Sequence, residues 1–185
     1  TAVGKDALLF NTTGSNNVAV GYQALDSNTT VSEGTAVGYR ALSSNTTGAN
    51  NTALGTTAML DNTTGQQNVA VGSNAMANNT TANDNTSVGA YSMNSNTTGT
   101  NNIAVGRNAL RLNQSASDNV AVGRDALYDN TTGASNTAVG KEALSDNTTA
   151  NQNTAVGMYG LRRTTTGSNN VAMGYASLIT NTTGI

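Results

Sequence analysis

One spacing constrains this chain more than anything else in it. The tripeptide Asn-Thr-Thr begins at Asn11, and the equivalent position recurs at Asn28, Asn45, Asn62, Asn79, Asn96, Asn113, Asn130, Asn147, Thr164 and Asn181, always 17 residues further on and without an insertion. With Asn11 as place one, place eleven is glycine in every unit: Gly4, Gly21, Gly38, Gly55, Gly72, Gly89, Gly106, Gly123, Gly140, Gly157 and Gly174. Place fifteen is Leu or Met throughout, from Leu8 and Leu25 to Leu161 and Leu178. The unit reads Asn-Thr-Thr-Gly-x-x-Asn-Val/Thr-Ala-Val-Gly-x-x-Ala-Leu-x-x. Likeness between units of one chain reports equivalent surroundings, so residues 1–185 form a single repeat array of nearly eleven coils. Thr1 stands at place eight and Ile185 at place five, with no divergent unit at either end, which leads us to expect a piece of a longer fibre.

Two other readings of a 17-residue unit fail. A helical unit would have to carry two Thr, two Asn and up to two Gly, residues that favour turns and caps over helix interiors. Disorder suits a chain that is 10% charged and 36% hydrophobic, but a solvated chain has no reason to keep apolar residues on a fixed ruler.

A strand fits. In Asn17-Val18-Ala19-Val20-Gly21, places eight and ten are large or β-branched, and place nine is Ala in every unit except at Ser87. That alternation has the period of a short strand. The expected arrangement turns Val18 and Val20 to one side and Ala19 to the other, with Gly21 letting the chain turn. Ala24 and Leu25 begin the return path, and Leu25 shares an interior with Val20. The candidate core is therefore Val20, Leu25, Val37, Leu42, Val71, Val105, Leu110, Val122, Leu127, Val139 and Leu144. The fold class is all-β, a parallel β-solenoid of 17-residue coils. Charged residues occupy places six, twelve, thirteen, sixteen and seventeen, and none lies at eight to eleven, fourteen or fifteen. On this arrangement Ala19, Ala36, Ala53, Ala70, Ala104, Ala121, Ala138, Ala155 and Ala172 form an outward apolar stripe suited to another copy of the chain, the alternative being contact with the coil's own return path.

The stretches Asn17 to Gly21 and Asn136 to Gly140 resemble the head repeats of trimeric autotransporter adhesins of the YadA type, whose repeats carry a Ser-Val-Ala-Ile-Gly-like core. The likeness runs along essentially the whole chain through about five positions per unit, and the family's repeats are shorter and lack Asn-Thr-Thr-Gly. It implies a left-handed β-roll, a homotrimer with chains side by side, and exposure on a bacterial surface. The repeats also look similar to those of phage tail fibres.

Composition limits the chemistry. There is no Cys, His, Trp or Pro, so disulfides, thiolate sites, histidine switches and most hydrolytic or redox catalysis are excluded. The carboxylates read as scattered, unpaired at any repeated place, and no Gly-x-Gly-x-x-Gly cradle or Asp-rich calcium loop occurs; no enzyme, cofactor or metal is expected. A net charge of −2 gives no basic stripe for nucleic acid, and no apolar run approaches the roughly 18 residues of a membrane span. Asn11, Asn28, Asn45, Asn62, Asn79, Asn96, Asn113, Asn130, Asn147 and Asn181 each begin an N-glycosylation acceptor pattern, against which stands an internal asparagine ladder that closes the turn. Thr164-Thr165-Thr166 keeps both threonines without the Asn, as a turn needs. An ice-binding face is the lesser alternative, since Thr12 and Thr13 are adjacent and point oppositely. The function expected is that of an adhesive or structural segment of an extracellular surface fibre, with a surface or glycan ligand, or alternatively a phage tail-fibre shaft on a virion.

Overall fold

In the computed structural model, which describes residues 1–184, the chain is one stack of coils. Each coil contributes a single short strand: β1 (Ala2–Val3), β2 (Val18–Val20), β3 (Thr35–Val37), β4 (Thr52–Leu54), β5 (Val69–Val71), β6 (Thr86–Val88), β7 (Ile103–Val105), β8 (Val120–Val122), β9 (Thr137–Val139), β10 (Thr154–Val156) and β11 (Val171–Met173). The strands pair in parallel in sequence order, each residue opposite its counterpart 17 positions away, so Val20 lies against Val37 and Ala19 against Ala36. A strand spacing of about 4.8 Å makes the stack roughly 50 Å long.

Successive coils bond to one another around the whole perimeter, not only at the strand. The Leu25 amide donates to Ala41 O at 3.1 Å, Ser27 to Ser43 O, and Thr46 to Thr63 O, while the Gly38 and Arg40 amides donate back to Val20 O and Tyr22 O. Most backbone groups that a turn withholds from its own coil are thereby taken up by a neighbouring one. The turns need unusual backbone. Besides the place-eleven glycines, places six, thirteen and fifteen have positive φ in coil after coil, as at Asn101 (56°), Asn108 (57°) and Leu110 (51°). Leu or Met at place fifteen thus holds a left-handed conformation costing on the order of 1 kcal/mol, offset by full burial.

The structure inverts the expected strand facing. Ala19, Ala36, Ala53, Ala70, Ala104, Ala121, Ala138 and Ala155 are fully buried and line the interior with the Ala of place fourteen and the Leu or Met of place fifteen. Leu25, Leu42, Leu110, Leu127 and Leu144 are buried, whereas Val20, Val37, Val71, Val122 and Val139 are only half-buried and Val105 is exposed, all on the outer face. The Ala column is therefore not an outward stripe. The interior is narrow there: place fourteen packs directly against place nine, the Ser92 hydroxyl meeting that of Ser87 and a Cβ at Gly160 falling 3.5 Å from the Ala155 methyl, contacts that suit small side chains.

One coil departs from the pattern in a compensated way. Ser87 replaces Ala at place nine and Ser92 replaces Ala at place fourteen, both are fully buried, and their hydroxyls bond each other. The Ser87 hydroxyl donates to Ser92 O and that of Ser92 donates to Ser87 Oγ, with Gly89 O also within its reach, so neither polar atom is stranded.

Candidate functional site

Two asparagine ladders run inside the stack. At place one, Asn62 Nδ2 donates to Asn45 Oδ1 (2.9 Å) and to Gly65 O (3.0 Å), and the same pair of bonds recurs at Asn79, Asn96, Asn113 and Asn130. At place seven, Asn85 Nδ2 donates to Gly99 O and Asn85 Oδ1 accepts the Asn102 amide (2.9 Å). The two ladders meet on one carbonyl, since Gly99 O takes both Asn85 Nδ2 and Asn96 Nδ2. The place-seven ladder was missed in the sequence, although Asn stands there in every complete unit but one, where Gly34 replaces it. Asn28, Asn45, Asn62, Asn79, Asn96, Asn113, Asn130 and Asn147 are at most 1% exposed, and a glycan on Nδ2 would displace these bonds and the wall around them. Only Asn11 and Asn181, in the terminal coils, are partly open. The place-two threonines are likewise spent on the stack, Thr46 and Thr131 donating their hydroxyls to the carbonyls of Thr63 and Thr148.

The repeat leaves places twelve, thirteen, sixteen and seventeen free to vary, and chemistry collects there. Eleven of the 18 charged residues lie between Arg107 and Arg163. A shallow groove of about 350 Å³ opens between the place-thirteen wall of Asn108, Asp125 and Glu142 and the facing wall of Tyr128, Asp129, Asp146 and Arg162. Glu142 gathers Arg124 (3.2 Å), Arg162 (3.2 Å) and Lys141 (3.5 Å), and Arg124 also pairs with Asp125 (3.0 Å). Rings and cations alternate along this edge: the Arg111 guanidinium lies between Tyr91 and Tyr128 and donates to the Tyr128 hydroxyl, and Tyr159 has Lys141 and Arg162 over its ring. The hydrogen bond from Lys141 to the Tyr159 hydroxyl (3.1 Å) is the main influence holding the ammonium pKa above its ordinary value.

The carboxylates are less scattered than the sequence suggests. Asp125 and Glu142 share place thirteen in adjacent coils, and Asp129 and Asp146 share place seventeen. Burial, and then the neighbouring Asp146 charge, push the Asp129 carboxyl above its usual range. Burial has the same effect on Asp26. Glu142 is held by three cations, Asp125 accepts from Asn108 Nδ2 (2.9 Å), and the Ser145 hydroxyl donates to Asp146 (2.6 Å), so the groove gathers charged, hydroxyl and aromatic groups on one edge. Among the described residues, no group of three His, Cys, Asp or Glu side chains is placed to hold a metal ion, and no helix is long and apolar enough to cross a membrane.

No family model, no curated protein and no solved structure matches the chain.

Proposed function

We propose that this chain is a load-carrying and adhesive segment of an extracellular surface fibre, assembled as a homotrimer. The observation supporting this reading most is the uninterrupted bonding of each coil to the next at strand and turns alike. A coil of this kind is a template for its successor, so reach is set by the number of units and is gained without a new fold. Backbone groups held all round the perimeter resist the local opening that proteases need, which suits a segment outside a cell. The varied edge from Arg107 to Arg163 supplies the groups by which such a fibre touches a surface or glycan, while the invariant places maintain the rod. Electron microscopy and sedimentation of the full chain test the proposal: rods about 50 Å long with three times the 18.6 kDa chain mass are expected. A compact monomer that fails to retain coated beads on any cell surface would overturn it.

A further inference from the structure

The inverted strand facing gives the sheet an outer face unlike the rest of the surface. Ten strands, β2 to β11, each turn two side chains outward, at places eight and ten. Place eight carries only Val, Thr and Ile, and place ten only Val, Leu and Met. Leu54 is 47% exposed, Ile103 43% and Val105 37%. No charge falls on either column. Seven of these twenty side chains are 36% or more exposed and the other thirteen are partly open, so the face is a continuous, mostly apolar strip on the order of several hundred Å², the size class of the roughly 800 Å² per partner buried in a stable protein interface.

The flanks of the face differ in sign. On the side where the chain enters the strand, place six carries charge only as Glu33, Asp84 and Asp118, all exposed. On the side where it leaves, place twelve carries charge only as Lys5, Arg107, Arg124 and Lys141. Arg124 and Lys141 are partly neutralised by Asp125 and Glu142 behind them, but Arg107 and Asp118 enter no ion pair among the described residues. If two copies met on this face with their coils running in opposite directions, acidic flank would lie beside acidic flank. Copies running in the same direction about a common axis put the acidic flank of one beside the basic flank of the next.

We infer that the outer face of the sheet, places eight and ten from Val18 to Met173, is the surface through which copies of this chain associate, in parallel and in register. This rests on the fibre reading and names its partner surface, replacing the buried Ala column.

The test uses the full chain and two sets of variants. Wild type is expected to sediment as a multimer whose affinity falls with salt. Val88→Asp, Val105→Asp and Val122→Asp together place three charges on the face and should give monomer, whereas Thr98→Asp on another side should not. Arg107→Glu and Asp118→Lys should each weaken association by about tenfold, and the two together should restore it to within about twofold, since each reversed charge then meets its opposite on the neighbour. Far-ultraviolet circular dichroism separates loss of association from loss of the coil stack. A folded, rod-shaped wild type that stays monomeric at 100-fold the concentration used for the variants overturns the interface and leaves the rod standing. If that monomer also shows thermal hysteresis, the face meets ice instead. A multimer that survives the triple Asp variant, or a charge swap that does not rescue, overturns the inference as well.

Discussion

Asparagine carries two of the interior columns, and its cost when misplaced is readable in the gaps. Asn147 Oδ1 is buried without a hydrogen-bond partner among the described residues, and the next coil has Thr164, whose hydroxyl donates to Asn181 O. Thr164→Asn supplies an amide where every other rung has one, and should raise the unfolding free energy by about 1 kcal/mol in urea titrations. Asn96→Ala does the reverse. It removes the donor to Asn79 Oδ1 and Gly99 O and the acceptor of Asn113 Nδ2, so a loss of about 2–3 kcal/mol is expected, against about 0.5 kcal/mol or less for the exposed Thr98→Ala. At the charged edge the sign depends on pH. The folded-state pKa of Asp129 is raised above its unfolded value of 3.8, so the fold favours the protonated carboxyl; its contribution to stability is fullest below that value and declines as pH rises through the raised one. Asp129→Asn should therefore stabilise at pH 7 by at most about 1 kcal/mol, the group being partly exposed, and should give no gain at pH 3.

At the scale of the coil, a place-eleven glycine meets two demands that a pair of substitutions separates. Gly106 has φ of 137°, and a Cβ there would sit 2.5 Å from Gly123 O of the next coil, a backbone atom that cannot step aside. Gly174 has φ of 112° with nothing within 4 Å. Gly174→Ala should cost the conformational penalty alone, about 1–2 kcal/mol, and Gly106→Ala at least about 2 kcal/mol more, read as a difference in thermal midpoint between two otherwise identical arrays. The turn was legible in the sequence because only glycine fits at that place, and the 17-residue register was legible because the spacing never slips. The facing of the strand was not. Alternation announces two faces without saying which is inside, and size alone favours the larger apolar residues for the core. The deciding signal lay in variety: place eight exchanges Val for Thr, near-isosteres that differ by a hydroxyl and that sealed packing does not treat alike, while place nine keeps Ala except where Ser87 has Ser92 to bond. The left-handed residues at places thirteen and fifteen leave no mark in a sequence that puts Leu or Met at one and almost anything at the other. The groove from Asn108 to Arg162 was equally hidden, because it forms from residues that differ between coils and meet only by stacking.

For the molecule as a whole, the strictness of the ruler follows from the period of a strand. Side chains alternate with a period of two, so a shift of one residue exchanges the Ala column for the Val column along the affected strand. Removal of residues 79–95 deletes 17 residues, joins Asn78 to Asn96, and takes out Ser87 and Ser92 together, so that no hydroxyl is left buried without its mate. Every remaining coil keeps its neighbours' chemistry, and stability in such a stack is a sum of coil and nearest-neighbour terms. The shortened chain should unfold in one transition, with a urea m-value lower by about a tenth and a rod shorter by about 4.8 Å. Removal of residues 79–94 deletes only one residue fewer, yet it forces the junction coil either to bury Val in a space that fits a methyl group or to break the hydrogen bonds on both sides of it. Two transitions, or loss of the rod altogether, are expected by chemical denaturation and small-angle scattering. If both deletions behaved alike, coil identity would be set by composition rather than by register, and the vertical alignment of Val20 on Val37 would have no energetic meaning.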